Sequence, residues 1–493
     1  MTNAADIAYM NWQAEEEIAI ERAVIRGRAY YDGDPFSFLT DRLRLFFELD
    51  TNDDLDFNLN VCRPVIHAIT ERMIVTGFAS TDPELSKWLW QLWNKNKMDS
   101  KQADIYNDSG VSGAHFVIIE WDNSEKFSAF YPNQRYTSAS GINGETLDGT
   151  GDGVNVKYQN DDLNQPIEYY SKRWIESYID AKGNTHTRNR MTLYYKDRIE
   201  RYQMLAGGWE LYNTDDEPSI VYQLDANGNK LETPLGFPVF GFFTPGHRSD
   251  IADAIAPQDG INKLLIDALA DADIGKSIIA LFGAYPTTDG RPAAEDGSNL
   301  LDMLPRQVIG SANADGHLDQ IDGIDIRPTL EAIEKLMSWT ASITGTPASR
   351  FASGQVESAD AQKERKESLI AKIEARENNW GDVWEDVMLY ALKLQNLYGG
   401  GIDGTLIDES IEVNTQWKDP QTRNELDTLN GIKIKVESLS ISKQQAWREA
   451  GYSQEQIEEM MGDMESEAMM RARVAAINTA PPVVDNSFGA IIE

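Results

Sequence analysis

The sequence predicts an α+β chain, and three observations predict it. No Pro interrupts the stretch from Ser358 to about Gln395, and its second half carries apolar residues at helical steps. Residues 113–243 change character, to short β-rich runs separated by turn chemistry. The stretches on either side return to helical periodicity. At 493 residues the chain is too long for one core, so two to four domains are expected.

In chain order, residues 1–110 read as helical. Val61, Val65, Ile69 and Met73 form one stripe. Leu85, Trp88, Leu89, Leu92 and Trp93 form another, opened by Asp82-Pro83. Strands are expected at Phe116–Trp121, Ile167–Tyr170, Met191–Tyr195 and Val239–Phe243. Ala181-Lys182-Gly183-Asn184 and Asp225-Ala226-Asn227-Gly228-Asn229 between them read as hairpin turns, so the sheet should be antiparallel. Residues 250–282 return to helix after a break at Pro257, with Ile261, Leu264, Leu265, Ala268, Leu269 and Ala272 as the stripe. Residues 283–326 are rich in Gly and Pro and read as a small loop-rich insert. A short helix from Arg327-Pro328 to Ile343 follows, then a polar loop from Thr344 to Gly354.

The long helix comes next. Ser358 is a suitable N-cap, with Asp360 at the positive end of the helix dipole. Ile373, Trp380, Trp384, Val387, Ala391 and Leu394 make one apolar face, whereas Lys363, Glu364, Arg365, Lys366 and Glu367 leave the first half little to bury. About forty residues at 1.5 Å each make a rod of roughly 60 Å, suited to a spoke more than to a small core. Gly399-Gly400-Gly401 ends it, and Ile411–Asn414 reads as a short strand. Two helices follow, one capped by Ser442 with Gln445 and one by Ser453 with Gln456. The tail from Thr479 onward reads as disordered.

Composition narrows the function. Forty-five Lys and Arg against 80 Asp and Glu leave a net charge of −35. No basic run could neutralise phosphates, which argues against tight nucleic-acid binding through counterion release. A strongly acidic wall would instead let DNA slide without sticking; the alternative use of such charge is solubility. Cys62 is the single cysteine and reads as a buried helical thiol, since it can make neither an intrachain disulfide nor a cysteine metal cluster. The N-terminus is polar and acidic, unlike a signal peptide, and no apolar run reaches membrane-spanning length, so a soluble protein made in a reducing cytoplasm is expected.

Candidate catalytic motifs fail on their mechanics. Ala270 to Ser277, ending Gly275-Lys276-Ser277, fits a permissive phosphate-loop pattern. A phosphate loop needs a buried strand before it, but amphipathic helix precedes this one, and Asp271 and Asp273 would sit in the cradle. His67, His115, His186, His247 and His317 show no metal-ligand spacing. Ser112 in Gly110-Val111-Ser112-Gly113 approaches a nucleophile elbow, with its second Gly one residue early. Asp50–Asp54 and Asp148–Gly153 lack the twelve-residue calcium-loop pattern and read as acidic turns. No cofactor or metal is called for.

Several segments in order resemble the portal family of tailed phages typified by the Bacillus phage SPP1 portal, in its actinobacterial-phage form. They are Tyr30-Tyr31-Asp32-Gly33-Asp34; Asn60-Val61-Cys62-Arg63-Pro64-Val65-Ile66 and Thr76-Gly77-Phe78; Ser249-Asp250-Ile251, Ile255-Ala256-Pro257-Gln258-Asp259 and Ile261-Asn262-Lys263; Thr346-Pro347, Ser358-Ala359-Asp360-Ala361 and Trp380-Gly381-Asp382-Val383-Trp384-Glu385; and Trp417-Lys418-Asp419-Pro420 with Gly451-Tyr452-Ser453. The resemblance implies a non-enzymatic subunit of a twelve-membered ring at one capsid vertex. Viral double-stranded DNA would be packaged through it and later ejected. Residues 1–249 would form a helical and antiparallel-sheet wing, 250–282 and 327–343 a two-helix stem, and 283–326 the clip. Residues 344–360 would form the tunnel loop, 361–419 the long wing helix and return strand, and 420–493 the α-helical crown and tail. Thr344, Thr346, Ser349, Arg350, Phe351, Ser353 and Gln355 would face DNA, with Arg350 the loop's one cation and Phe351 an anchor on the stem. Implied partners are the terminase large subunit, which would supply the ATPase, a head–tail adaptor, the major capsid protein and scaffold. The implied location is the virion, after assembly in the host cytoplasm. Two other readings stay open: another structural virion protein, such as a head–tail adaptor or capsid component, and an enzyme such as a nuclease or glycosidase.

Overall fold

The computed structural model describes residues 4–33, 58–136, 152–159, 165–179, 182–206, 208–212, 218–225, 228–274, 278–282, 317–321, 325–351, 359–420, 432–438, 441–450, 452 and 454–479. They fall into two compact units. One comprises Met1–Arg28, Val65–Ala252 and Glu357–Glu493; the other comprises Ala29–Pro64 and Asp253–Val356. Mixed helix and antiparallel sheet make this an α+β protein, as the periodicity predicts.

Among the described residues the first unit holds three antiparallel sheets. Strands β1 (Val75–Ser80), β2 (Ala114–Asp122), β3 (Phe127–Gln134), β4 (Gly153–Tyr158), β5 (Ile167–Ile179), β6 (Thr185–Tyr194), β7 (Arg198–Leu205), β8 (Gly208–Leu211), β9 (Ile220–Tyr222) and β10 (Val239–Phe243) precede β11 (Ile278–Phe282) and β12 (His317–Ile321) of the other unit, and β13 (Val413–Trp417) comes last. β2 is central in the order β10-β2-β3. The second sheet runs β4-β5-β6-β7-β8, with β9 also on β7. β1 pairs with β13 across more than 330 residues, Phe78 opposite Thr415. β1 lies within residues 1–110, which periodicity alone assigns to helix; it is a strand because a distant partner supplies its ladder. β3, β4 and β7 to β9 also have no counterpart among the expected strands.

β2 reads as a continuous apolar run because both its faces are buried. Val117 and Ile119 face the cluster that includes the long helix, and Phe116 and Ile118 face a second cluster with Val156, Tyr170 and Tyr194. The long helix spans Ala359–Leu394 and continues as one π turn, Gln395–Gly399, capped by Gly400 in the left-handed region. Ser358 lies outside the described residues. Ile373, Trp380, Trp384, Val387, Ala391 and Leu394 are all buried, so the sequence stripe is the core face. The indole of Trp384 lies 4.6 Å from the Phe242 ring and 4.8 Å from Trp93, and donates to the Tyr106 hydroxyl at 2.8 Å. Trp380 stacks on Tyr106 and donates to the Phe243 carbonyl at 3.0 Å. Gly381 sits within this helix where a Cβ would come 3.3 Å from the Trp417 indole nitrogen, so its missing side chain lets β13 lie close.

Caps follow the expected chemistry. Asp82 accepts from the Glu84 amide at the start of the helix Pro83–Lys95, and Ser442 accepts from the Gln445 amide before Lys443–Glu449. The last helix is Gln454–Thr479, with Ser453 outside the described residues. The turn expected at Asp225–Asn229 closes through an Asn229 amide to Asp225 carboxylate bond of 2.8 Å.

Glu377 is buried on the long helix. Burial pushes its carboxyl up to about 8, and the neighbouring Glu374 and Asp419 push in the same direction. The folded state therefore holds this proton between about pH 4.5 and 8 while the unfolded chain releases it, so stability declines as pH rises through that window. Glu377→Gln is expected to raise the melting temperature at about pH 8 and to change it little near pH 5, as measured by thermal unfolding at the two values. An equal shift at both would exclude a titrating Glu377.

Candidate nucleic-acid interface

The described start of the stretch assigned to the tunnel loop, residues 344–351, lies in the second unit, which is built on two packed helices. The first is Ile255–Ile274. Pro257 does not break it; the ring falls in the first turn, where no intrahelical N–H bond is lost. The helix also ends earlier than 282. Ile278–Phe282 is a strand, β11, paired antiparallel with β12 (His317–Ile321), so the stretch 250–282 is not one helix. Residues 275–277, including Lys276, lie outside the described residues; residues 270–274 of the phosphate-loop pattern are helical. Most of 283–326 also lies outside them.

Two buried amides on the first helix organise the chain that precedes it in space. Gln258 Oε1 accepts from the backbone amides of Val61 and Cys62, both at 3.0 Å, and so caps the helix Cys62–Thr70. Asn262 accepts from the Leu59 amide at 2.9 Å and donates to Asn58 at 2.7 Å. Tyr30 donates to Asp259. The Cys62 thiol is fully buried, and burial with the nearby Asp259 pushes it up to about 12, which makes it inert.

The second helix, Arg327–Thr344, has Pro328 in its first turn, and Arg327 grips the Asp325 carboxylate with Nε at 2.9 Å and Nη2 at 2.7 Å. Its inner face packs Ile333, Leu336 and Met337 against Val61, Ile261, Leu264 and Leu265. Gly345, at φ 67°, caps it, and the Thr346 amide returns to the Ala341 carbonyl at 3.0 Å. Outside that face the helix exposes large apolar groups. Trp339 is 60% exposed and Ile343, one turn later, 59%.

The loop residues are not equivalent. Thr344 and Thr346 are buried, and the Thr344 hydroxyl lies 2.7 Å from the Thr340 carbonyl and 2.9 Å from the Thr346 hydroxyl. They lock the end of the helix. Phe351 packs against the Val61–Ile261–Ile333 cluster. Ser349 and Arg350 stand exposed on a 3₁₀ turn, Ala348–Arg350. Ser353 and Gln355 lie outside the described residues. Of the group, the structure thus presents Ser349 and Arg350 to the surroundings. Sequence reasoning set Arg350 and Phe351 apart but grouped the threonines with the other small polar residues, which look alike whether or not their hydroxyls point inward.

The nearest approach to catalytic geometry lies in the first unit. The Ser112 hydroxyl sits 2.7 Å from the Asp108 carbonyl and 2.6 Å from that of Ala114, so its proton serves a helix end. His115 Nδ1 lies 2.9 Å from Asp108 Oδ2, and Arg28 donates to Asp108 Oδ1 at 2.8 Å. Burial pushes the Asp108 carboxyl up, but His115 and Arg28 together hold it below the usual range. Gly113, at φ 81°, turns the chain where a Cβ would meet the His247 carbonyl oxygen at 2.3 Å. Ser112, His115 and Asp108 form a buried structural network, not a nucleophile with its base.

The second unit thus sets an exposed apolar helix face beside an exposed polar turn. Comparison with known proteins identifies the family: the chain belongs to the phage portal protein family, SPP1 Gp6-like, whose profile matches residues 28–473. The portal protein of Mycobacterium phage L5 is 24% identical over 444 residues, spanning 86% of this chain and 82% of its own length. The portal protein of Mycobacterium phage D29 matches to the same extent. The family is a structural component of the virion. Among the described residues, no helix is long and apolar enough to cross a membrane.

Proposed function

We propose that the chain is the repeating unit of a twelve-subunit ring at one capsid vertex, through which double-stranded DNA is packaged and ejected. The observation that carries this is the Trp339–Ile343 face, which a soluble monomer would gain nothing by exposing and which a neighbouring subunit would cover. In this reading residues 250–282, whose helix is Ile255–Ile274, and residues 327–343 form the stem, with 283–326 as the clip and 344–360 as the tunnel loop. Residues 1–249 with 361–419 form the wing, and 420–493 the crown. The net charge of −35 then has a use, because a negative channel does not trap a polyanion. Terminase drives packaging from outside, a head–tail adaptor follows it, and capsid protein and scaffold surround the ring during assembly in the host cytoplasm.

Arg350 is the candidate phosphate contact of the loop, with Ser349 beside it. Arg350→Glu, or a shortened loop, is expected to leave rings intact and to reduce the packaged genome protected from nuclease. Unchanged protection would place the DNA contact elsewhere. Lys276→Ala is expected to leave packaging unchanged. ATP hydrolysis by the purified wild-type chain, abolished by that substitution, would instead make the segment a phosphate loop.

A further inference from the structure

The first unit contains a cavity of about 380 Å³, lined by the N-terminal helical segments, by β4 and β5, and by the turn at Gly246-His247. That volume falls within the range of small-ligand sites. Most polar groups in its wall hold one another. Trp12 Nε1 donates to Ser171 at 2.8 Å, and Asn11 bridges Tyr169 at 2.6 Å and Lys157 at 3.2 Å. Glu17 accepts from the Tyr136 hydroxyl at 2.7 Å and from Asn155 at 3.0 Å.

Arg135 is the exception. It is 4% exposed; among the described residues it is paired with Glu17 only at 4.0 Å, beyond hydrogen-bonding reach, and its guanidinium lies over the Tyr136 ring, 5.9 Å from the centroid. Its Nε is buried with no partner. A buried guanidinium without hydrogen bonds is costly, and the planar fork of its donors matches a carboxylate or phosphate edge. Lys157 lines the same cavity. Arg135 and Lys157 face Glu16 and Glu17 there, so the lining is close to neutral. That balance offers nothing to a polyanion such as DNA but leaves the Arg135 fork for one small anion, with the Lys157 ammonium, held by Asn11, in the same wall. His247 adds no charge at neutral pH, because burial and the positive Arg135 bring it down to about 4.

We infer that this cavity binds a small oxyanion, a phosphate or a carboxylate group, with Arg135 as its principal donor and Lys157 as the second. The inference is independent of the ring and of the DNA contact. It is tested on the purified full chain by calorimetric titration with inorganic phosphate and, separately, with succinate, each against sodium chloride at matched ionic strength. Saturable binding of either anion is expected, and the one that binds identifies phosphate or carboxylate as the chemistry. Arg135→Gln is expected to weaken it at least tenfold, and Lys157→Gln, on a less buried side chain, several-fold. Should Arg135→Gln not fold, Lys157→Gln and the broadening of the phosphate ³¹P resonance by the wild-type chain supply the reading. Heats no larger than those of chloride for both anions, or binding unchanged in the variants, would overturn the assignment.

Discussion

Trp339→Asp is expected to turn rings into free, folded subunits. An indole 60% exposed, with Ile343 one turn away at 59%, has most of its surface in water. Buried aromatic anchors dominate interface energetics, and removing one commonly costs about 2–4 kcal/mol. In a closed ring every subunit loses that amount at its interfaces, and an aspartate would add a desolvated charge on a chain already at −35. The fold should survive, because the packed core of this unit is made by Ile333 with Val61 and Ile261, not by Trp339. Sedimentation velocity with circular dichroism checks both halves. Rings that persist in the variant would remove this face from the assembly.

Trp384→Ala is expected to carry the largest loss of stability of any single change in the first unit. The side chain is fully buried between Trp93 and Phe242. Truncating a buried Trp to Ala costs about 3–5 kcal/mol through lost burial and the cavity left behind. The change also strands the Tyr106 hydroxyl, which accepts from the Trp384 indole, and an unsatisfied buried polar group costs roughly 1–3 kcal/mol more. Total stabilities of only about 5–15 kcal/mol are usual, so the variant should unfold at much lower denaturant or fail to accumulate. Arg376→Ala should follow the same course more mildly. It would leave Asp250, now paired at 3.0 Å, as a buried charge without its partner. A Trp384→Ala midpoint close to the wild-type value would mean that the long helix is not part of the core.

What could be read from the sequence was whatever depends on local pattern. The stripe from Ile373 to Leu394 needs only helical geometry, and the caps at Asp82 and Ser442 need only one side chain and one nearby amide. What escaped depends on partners far along the chain. Val75–Ser80 is a strand only because Val413–Trp417 returns to it, and Ile278–Phe282 only because His317–Ile321 does. Pro257 looked like a break, since a proline in the first turn and a proline before a helix read alike. Within the candidate interface, the order and spacing of the family's segments were legible. The inward-facing hydroxyls of Thr344 and Thr346 were not, because their burial is set by where the Gly345 cap sends the chain. Arg135 gave no signal at all: among the described residues the Glu17 carboxylate nearest to it is hydrogen-bonded by Tyr136 and Asn155 instead, which no linear pattern records.

Electron microscopy of the purified wild-type protein, with single-particle averaging, tests most directly whether this chain assembles into the closed ring proposed for it. The expected result is a uniform population of rings around an open central channel, of one stoichiometry. Compact single subunits at every salt and protein concentration examined would contradict it.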